Sequence, residues 1–278
     1  MARKKRLIIP IFIPFGGCPH RCVFCDQGAV TGARSMPSEA DVAATVELYL
    51  STWKGGGPRE AAFYGGTFTA LPEPVQRRYL AAAAAFVRAG RLDSLRVSTR
   101  PDAVDEKRAG LLKEQGVRTV ELGVQSMDDE VLRLSGRGHT AAHTVRAVEV
   151  LGAAGMEVGL QLMPGLPGDT PARFEATVRA ALDLTPHFLR IYPTVVMAGT
   201  TLHEMYLDGG FEPWGLDETV EACAAALRLA RKAGVPVVRI GLPQGPELGE
   251  RVVAGPYHPS LRSLAQARAV NQSKEVDQ

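Results

Sequence analysis

The 278-residue sequence predicts an α/β fold, a partial TIM-type (β/α)6 barrel with a short C-terminal extension. Three observations predict it. Apolar runs of about six residues alternate with longer stretches of helical periodicity from residue 7 to residue 240. Three helical stretches stop at a glycine followed at once by an apolar residue: Gly116-Val117, Gly155-Met156 and Gly234-Val235. That is the signature of a left-handed residue after the helix feeding the next strand. Repeated βα units in turn require parallel strands, right-handed crossovers and helices outside the sheet.

The first strand is expected at 7–13. Arg3-Lys4-Lys5-Arg6 ahead of it imitates the start of a signal peptide, yet Pro10 and Pro14 disfavour a helical signal core. Cleavage before Cys18 would also dismantle the cysteine cluster described below, so a strand running into a loop is the reading adopted. Further strands are expected at 61–64, 95–99, 119–123, 157–163, 188–192 and 235–240. Helices are expected at 38–52, 74–89, 105–115, 141–154, 171–184 and 216–233. The fifth has Thr170 as N-cap and Pro171 in the first helical position. Residues 1–242 form the barrel in this scheme and 243–278 the extension, with Pro256-Tyr257-His258-Pro259 as a rigid capping turn and 271–278 as a polar, mobile tail.

Composition sets the class. Hydrophobic residues make up 45% and charged residues 22%, enough for a full-sized core in a soluble protein. Net charge is only +2 and aromatics only 6%, so neither a global field nor a base-stacking platform marks a nucleic-acid binder. Arg228, Arg231, Lys232, Arg239, Arg251, Arg262 and Arg268 read as solvated charges among interleaved acids. No stretch approaches a membrane span. Four cysteines, three of them clustered, point to a metal site in a reducing, cytoplasmic compartment rather than to disulfides.

The cluster is Cys18-Pro19-His20-Arg21-Cys22-Val23-Phe24-Cys25. Thiolates are soft ligands that select iron–sulfur clusters, zinc or copper(I). An iron–sulfur cluster ordinarily takes four cysteines, so one held by three keeps a position open for chemistry. Structural zinc is the rival, but such sites are closed by four ligands and no second knuckle is present. Cys223 lies in an Ala-rich helical run and reads as a core residue. The cysteine loop follows strand one, Gly65-Gly66-Thr67 follows strand two and Gln125 follows strand four. In a barrel these are the C-terminal strand ends, where active sites gather.

With Phe24 before the last cysteine, the loop resembles the CxxxCxΦC signature of the radical S-adenosylmethionine superfamily. Gly65-Gly66-Thr67 resembles that family's glycine motif. Glu121-Leu122-Gly123-Val124-Gln125-Ser126, Ser135–Thr140 and Gln161–Gly168 are similar to the oxygen-independent coproporphyrinogen oxidase and Elongator catalytic-subunit branch. Ser98-Thr99-Arg100-Pro101-Asp102, Leu189–Thr194 and Gly199–Leu202 resemble the Elongator side of it. The resemblance covers residues 8–240.

It implies that Cys18, Cys22 and Cys25 hold a [4Fe–4S] cluster and that S-adenosyl-L-methionine chelates the open iron. Phe24, Gly65, Gly66, Thr67, Ser98, Gln125, Arg137 and Gln161 become the implied cofactor contacts, with Arg137 suited to a carboxylate and Gln161 to ribose hydroxyls. The oxidase branch has Asp at position 161 and an acid near Ser98. The resemblance further implies reduction by a ferredoxin or flavodoxin, a 5′-deoxyadenosyl radical, and hydrogen abstraction from a substrate. The Elongator side modifies wobble uridine of tRNA and adds an acetyltransferase domain, for which no sequence is expected here. Its cluster loop also spaces the cysteines more widely. A tRNA or other RNA substrate, a small-molecule substrate and a non-catalytic iron–sulfur or zinc protein are therefore the three functional readings.

Overall fold

A computed structural model describes residues 6–28 and 35–276. Seven strands are hydrogen-bonded in one sheet in the order β1 (Leu7–Phe12), β2 (Arg59–Tyr64), β3 (Ser94–Thr99), β4 (Val117–Gln125), β5 (Glu157–Leu162), β6 (Phe188–Ile191) and β8 (Val237–Ile240). A two-residue strand, β7 (Val196–Met197), pairs antiparallel with β9 (Val252–Ala254) in a separate ribbon. The main pairings β1–β2–β3–β4 and β5–β6–β8 are parallel, and β1 and β8 are edges. Sequential parallel order with unpaired ends is the topology of a partial (β/α) barrel, as the sequence predicts. The helices are α1 (Glu39–Thr52), α2 (Glu73–Arg88), α3 (Glu106–Glu114), α4 (Asp129–Leu134), α5 (Ala141–Ala153) and α6 (Pro171–Asp183). They continue with α7 (Thr201–Leu207), α8 (Leu216–Lys232), α9 (Pro246–Arg251) and α10 (Leu261–Val276).

By internal contacts the chain divides into two units. One carries β1 to β3, β4 through Leu122, α1 to α3 and Arg146–Val158; the other carries the cysteine loop from His20, Gly123–Val145 and the chain from Gly159 onward.

In the first unit, strand alternation separates two chemistries. Ile9, Ile11, Ala61, Phe63, Leu95, Val97, Val120 and Leu122 are buried on one face, and α2 lays Tyr79, Leu80, Ala83 and Ala84 into the same core. Each fully buried Val, Leu, Ile or Phe contributes about 1.5–3 kcal/mol. Phe63 stacks obliquely on Phe68 and Tyr79, with centroids 5.1 and 5.9 Å apart. The alternate positions carry charge: Arg96 reaches Glu121 at 2.6 Å and Glu60 at 2.7 Å, all three buried. Tyr64 donates to Glu121 (2.9 Å) and Ser94 to Glu60 (2.9 Å). Helix α1 is started by a capping box in which Ser38 and Asp41 exchange hydrogen bonds; those bonds hold the Asp41 carboxyl below the usual range.

In the second unit, α6 starts as expected, with Thr170 accepting from the Arg173 amide and Pro171 opening the helix. Helix α8 carries Asp217 and Glu218 in its first turn and Arg231 and Lys232 in its last, matching the helix dipole. Cys223 is fully buried on α8 as the sequence suggests, and burial pushes its thiol up to about 12. The glycines after three helices have φ of +81° (Gly116), +73° (Gly155) and +71° (Gly234).

Most of the expected polar tail is helical. Residues 271–276 continue α10, which is anchored by Leu261, Ala265 and Ala269 on one buried stripe and by Arg268 to Glu221 of α8 at 3.0 Å. Of that tail, only Asp277 and Gln278 lie outside the described residues, as do Arg3, Lys4 and Lys5 of the basic N-terminal run. Tyr257 of the capping turn donates to the Pro243 carbonyl (3.2 Å) and packs against Val195, Met197 and Leu248. Among the described residues no helix is long and apolar enough to cross a membrane.

Candidate functional site

In the first unit the start of the cysteine loop is seated on the turn after β2. Thr67 donates its amide to the Gly16 carbonyl (2.7 Å), and the Thr67 hydroxyl lies 3.3 Å from Cys18 Sγ. Gly66 has φ of +59°, and a Cβ there would stand 2.2 Å from the Gly16 oxygen. Gly17 is its counterpart, with φ of +73° and a hypothetical Cβ 2.4 Å from the Thr67 oxygen. Two glycine pairs, Gly16-Gly17 and Gly65-Gly66, therefore interlock backbone to backbone, which no side chain at Gly17 or Gly66 would permit. Ser98 is half-buried on β3, two residues beyond Arg96 and in register with Glu121.

The second unit holds the rest of the loop. Cys22 is 8% exposed, and its Sγ accepts from Arg137 Nη1 at 3.0 Å. Arg137, 5% exposed, also donates Nη2 to the Gly123 carbonyl, while its Nε is buried without a partner. Val23 is held at both ends of its peptide unit: its amide donates to Ser135 O (3.1 Å) and its carbonyl accepts from the Leu202 amide (2.8 Å). Phe24 packs against Val196, Leu202 and Phe211. The Cys25 amide donates to the Cys22 carbonyl (3.0 Å), and Asp26 pairs with Arg251 at 2.6 Å.

Gln125 ends β4 with φ of +71°, a conformation that costs a non-glycine residue strain of order 1 kcal/mol or more. Its carbonyl accepts from the Met163 amide (2.8 Å); its side chain is 9% exposed with Oε1 unpartnered. Gln161 is half-buried on β5, opposite Arg190 of β6. The loop after β5 contains Asp169, which accepts from the Gly165 (3.0 Å) and Thr170 (2.9 Å) amides. Desolvation outweighs these bonds and raises its carboxyl to about 6.

None of the four cysteines is in a disulfide. Among the described residues no group of three or more His, Cys, Asp or Glu side chains stands close enough together to hold a metal ion as placed. What fits a cluster and its cofactor is the donor chemistry. Three soft thiols sit on one short loop, and two buried polar atoms, Gln125 Oε1 and Arg137 Nε, lack partners. Buried polar groups are rarely left so, and a polar ligand would satisfy them.

Sequence reasoning missed the Glu60–Arg96–Glu121 network. Its signal was partial: Arg96 and Glu121 each stand between two apolar residues, whereas Glu60 follows Arg59 at the start of β2.

A barrel-type α/β chain with three thiols on the loop after its first strand has the makings of a radical enzyme. The chain belongs to the radical SAM superfamily, whose family model matches residues 12–181, and the C-terminal domain found in radical SAM proteins matches residues 186–271. Enzymes of this superfamily use a [4Fe–4S] cluster and S-adenosylmethionine, and this chain is one of them.

Two curated relatives are both tRNA uridine(34) acetyltransferases. The Methanocaldococcus infernus protein is 35% identical over 142 residues, covering 50% of this chain and 27% of its own length. That of Methanocaldococcus jannaschii is 29% identical over 255 residues, 77% of this chain and 47% of its own. The solved structure of archaeal Methanocaldococcus infernus Elp3 superimposes with a TM-score of 0.79 at 24% identity, covering 98% of this chain and 64% of the other. That likeness shows the fold. The chain spans half or less of the length of the curated relatives it matches first.

Proposed function

We propose that this protein is a radical S-adenosylmethionine enzyme acting on RNA, with tRNA as the substrate class. The observation that carries the RNA assignment is the 29% identity over 255 residues to an enzyme named for a tRNA uridine. Cys18, Cys22 and Cys25 would hold the cluster; Phe24, Gly65, Gly66, Thr67, Ser98, Gln125, Arg137 and Gln161 would surround the cofactor. When bound and reduced by one electron, that pair supplies a 5′-deoxyadenosyl radical that abstracts hydrogen from substrate.

The chain's own residues prepare the ground. The glycine interlock fixes the start of the loop, and its lack of side chains lets backbone amides and carbonyls approach a ligand. Gln125 Oε1 offers an acceptor for an ammonium group. Phe24, packed on Val196, Leu202 and Phe211, ties the end of the loop to the apolar core. A small reducing protein of ferredoxin or flavodoxin type supplies the electron, in the cytoplasm, where free thiols persist. Residues 1–242 form the catalytic core and 243–278 its C-terminal extension.

Anaerobic reconstitution with iron and sulfide, followed by dithionite and S-adenosylmethionine, tests the chemistry. Cluster absorbance and 5′-deoxyadenosine are expected; their absence would sink the enzyme assignment. Nucleoside profiles of tRNA from wild-type and deletion cells test the substrate. An unchanged profile beside intact 5′-deoxyadenosine formation would move the assignment to a small molecule.

A further inference from the structure

We propose that Trp214 is a stacking platform for an unpaired base of the RNA substrate. This rests on the RNA reading above and goes beyond it by naming a residue that holds the substrate. Aromatic residues are only 6% of the chain, so the setting of this one on a strand-end loop matters. Trp214 lies between α7 and α8, half-buried, and its indole rests on the loop that follows β5. A Cβ on Gly165 of that loop would stand 3.2 Å from both Cγ and Cδ2 and 3.6 Å from Cε3. The ring therefore lies broadside on the glycine backbone. Gly165 has φ of +80°, a conformation that favours glycine, and its missing side chain makes room for the indole.

Both partners of this contact are pinned. The Gly165 amide donates to Asp169 (3.0 Å), and the Pro164 carbonyl accepts from the Thr194 amide just after β6 (3.0 Å). On the other side, the Phe211 amide donates to the Met205 carbonyl (3.1 Å), and Phe211 is buried with Val196 and Leu202. Gly215, the N-cap of α8, accepts from the Thr219 amide (3.1 Å). Trp214 thus has little freedom to lose on binding, which is the condition for an aromatic contact to add affinity. Among the described residues no other aromatic ring and no guanidinium stacks on the indole.

Placement and charge select the occupant. The indole sits at the C-terminal end of β5, and in (β/α) barrels substrates bind at the C-terminal strand ends. Glu212, Asp217 and Glu218, all exposed, flank Trp214 in the sequence. Carboxylates repel phosphate, so the contact on offer is to the uncharged face of a base and not to the backbone of the nucleic acid. A base must leave its own stack to present that face, as bases of single-stranded loops do. Every base has such a face, so the contact places a nucleotide without choosing which one.

The experiment follows the fluorescence anisotropy of a labelled anticodon stem–loop RNA, intact or with abasic loop nucleotides. It is titrated with reconstituted wild type, Trp214→Phe, Trp214→Leu and Trp214→Ala, matched for iron content. The Kd for intact RNA should rise about tenfold in Trp214→Ala and Trp214→Leu and less than about threefold in Trp214→Phe. Wild type should prefer intact to abasic RNA, and Trp214→Ala should lose about a tenfold share of that preference. The slope of log Kd against log salt should stay the same, because no phosphate contact is removed. Should Trp214→Ala misfold, Trp214→Leu, which keeps an apolar side chain over Gly165, carries the same conclusion. Trp214→Leu binding as tightly as wild type would overturn the inference, since apolar packing alone would then suffice. Equal affinity in every variant would also overturn it, and is the result expected if the indole and its acids serve a cationic small molecule. A wild type that forms 5′-deoxyadenosine but binds no RNA would overturn the proposed substrate class, and this inference with it.

Discussion

Replacing Asp169 with Asn should change the pH dependence of stability in a direction that the burial of this carboxyl dictates. Its ordinary value of 3.8 is raised to about 6 in the folded chain, desolvation being the largest cause, opposed by the amides of Gly165 and Thr170. A carboxyl raised on folding imposes no penalty at low pH, where folded and unfolded chains both carry the proton. Between pH ~4 and ~6 the unfolded chain ionises first, and stability is lost until the folded carboxyl also ionises. The full loss corresponds to about 3 kcal/mol at 1.36 kcal/mol per pH unit. Asn cannot ionise, and its single carbonyl oxygen forgoes one amide bond at a pH-independent cost of about 1 kcal/mol.

The variant should accordingly be less stable than wild type near pH 4 and more stable, by about 1–2 kcal/mol, at pH 7.5. Urea unfolding of the metal-free protein, followed by far-UV circular dichroism across this range, reads the difference. A wild type-minus-variant difference that stays flat with pH, or rises with it, would refute the reasoning.

Three further outcomes follow from the packing. Arg96→Met should destabilise by about 3–5 kcal/mol, because buried Glu121 would lose the Arg96 cation and buried Glu60 would keep only the part-exposed Arg6 at 3.3 Å; adding Glu121→Gln should recover part of the lost urea midpoint. Gly66→Ala should fold but bind less than half the wild-type iron on reconstitution, since its Cβ would press on the Gly16 carbonyl. Gly90→Ala is the control: its φ of +67° carries similar strain, but nothing lies within 4 Å, so iron binding should match wild type. In the metal-free protein at pH 8, Cys223 should alkylate about a thousandfold more slowly than an ordinary thiol, through its suppressed thiolate fraction. Mass mapping of iodoacetamide adducts over time would show it, and labelling of Cys223 as fast as Cys18 would contradict it.

The seven sheet strands were legible because each places apolar residues together or at alternate positions between glycine or polar residues, and burial on the helix-facing side requires that pattern. Helices α4 and α7, of six and seven residues, are too short to show a period. Helix α10 hid for another reason: its buried stripe is one Leu and two Ala at spacings of four, a weak signal among Arg, Gln, Ser and Asn. The β7–β9 ribbon joins two- and three-residue strands more than fifty positions apart, below any local pattern. The cysteines were legible because ligand spacing is local. The contact between Cys22 and Arg137 was not, since 115 positions separate them and only the folded chain brings them together.

The two hydrogen bonds that hold Val23 are made by its peptide, not its side chain. The path of the loop is thereby written in atoms every amino acid except proline possesses. Related chains are free to vary the residue directly after the second cysteine while tracing the same curve, and a comparison of sequences alone would mistake this fixed point for a tolerant one. Proline, which lacks the amide hydrogen, is the one substitution that would expose how much of the loop's shape hangs on position 23.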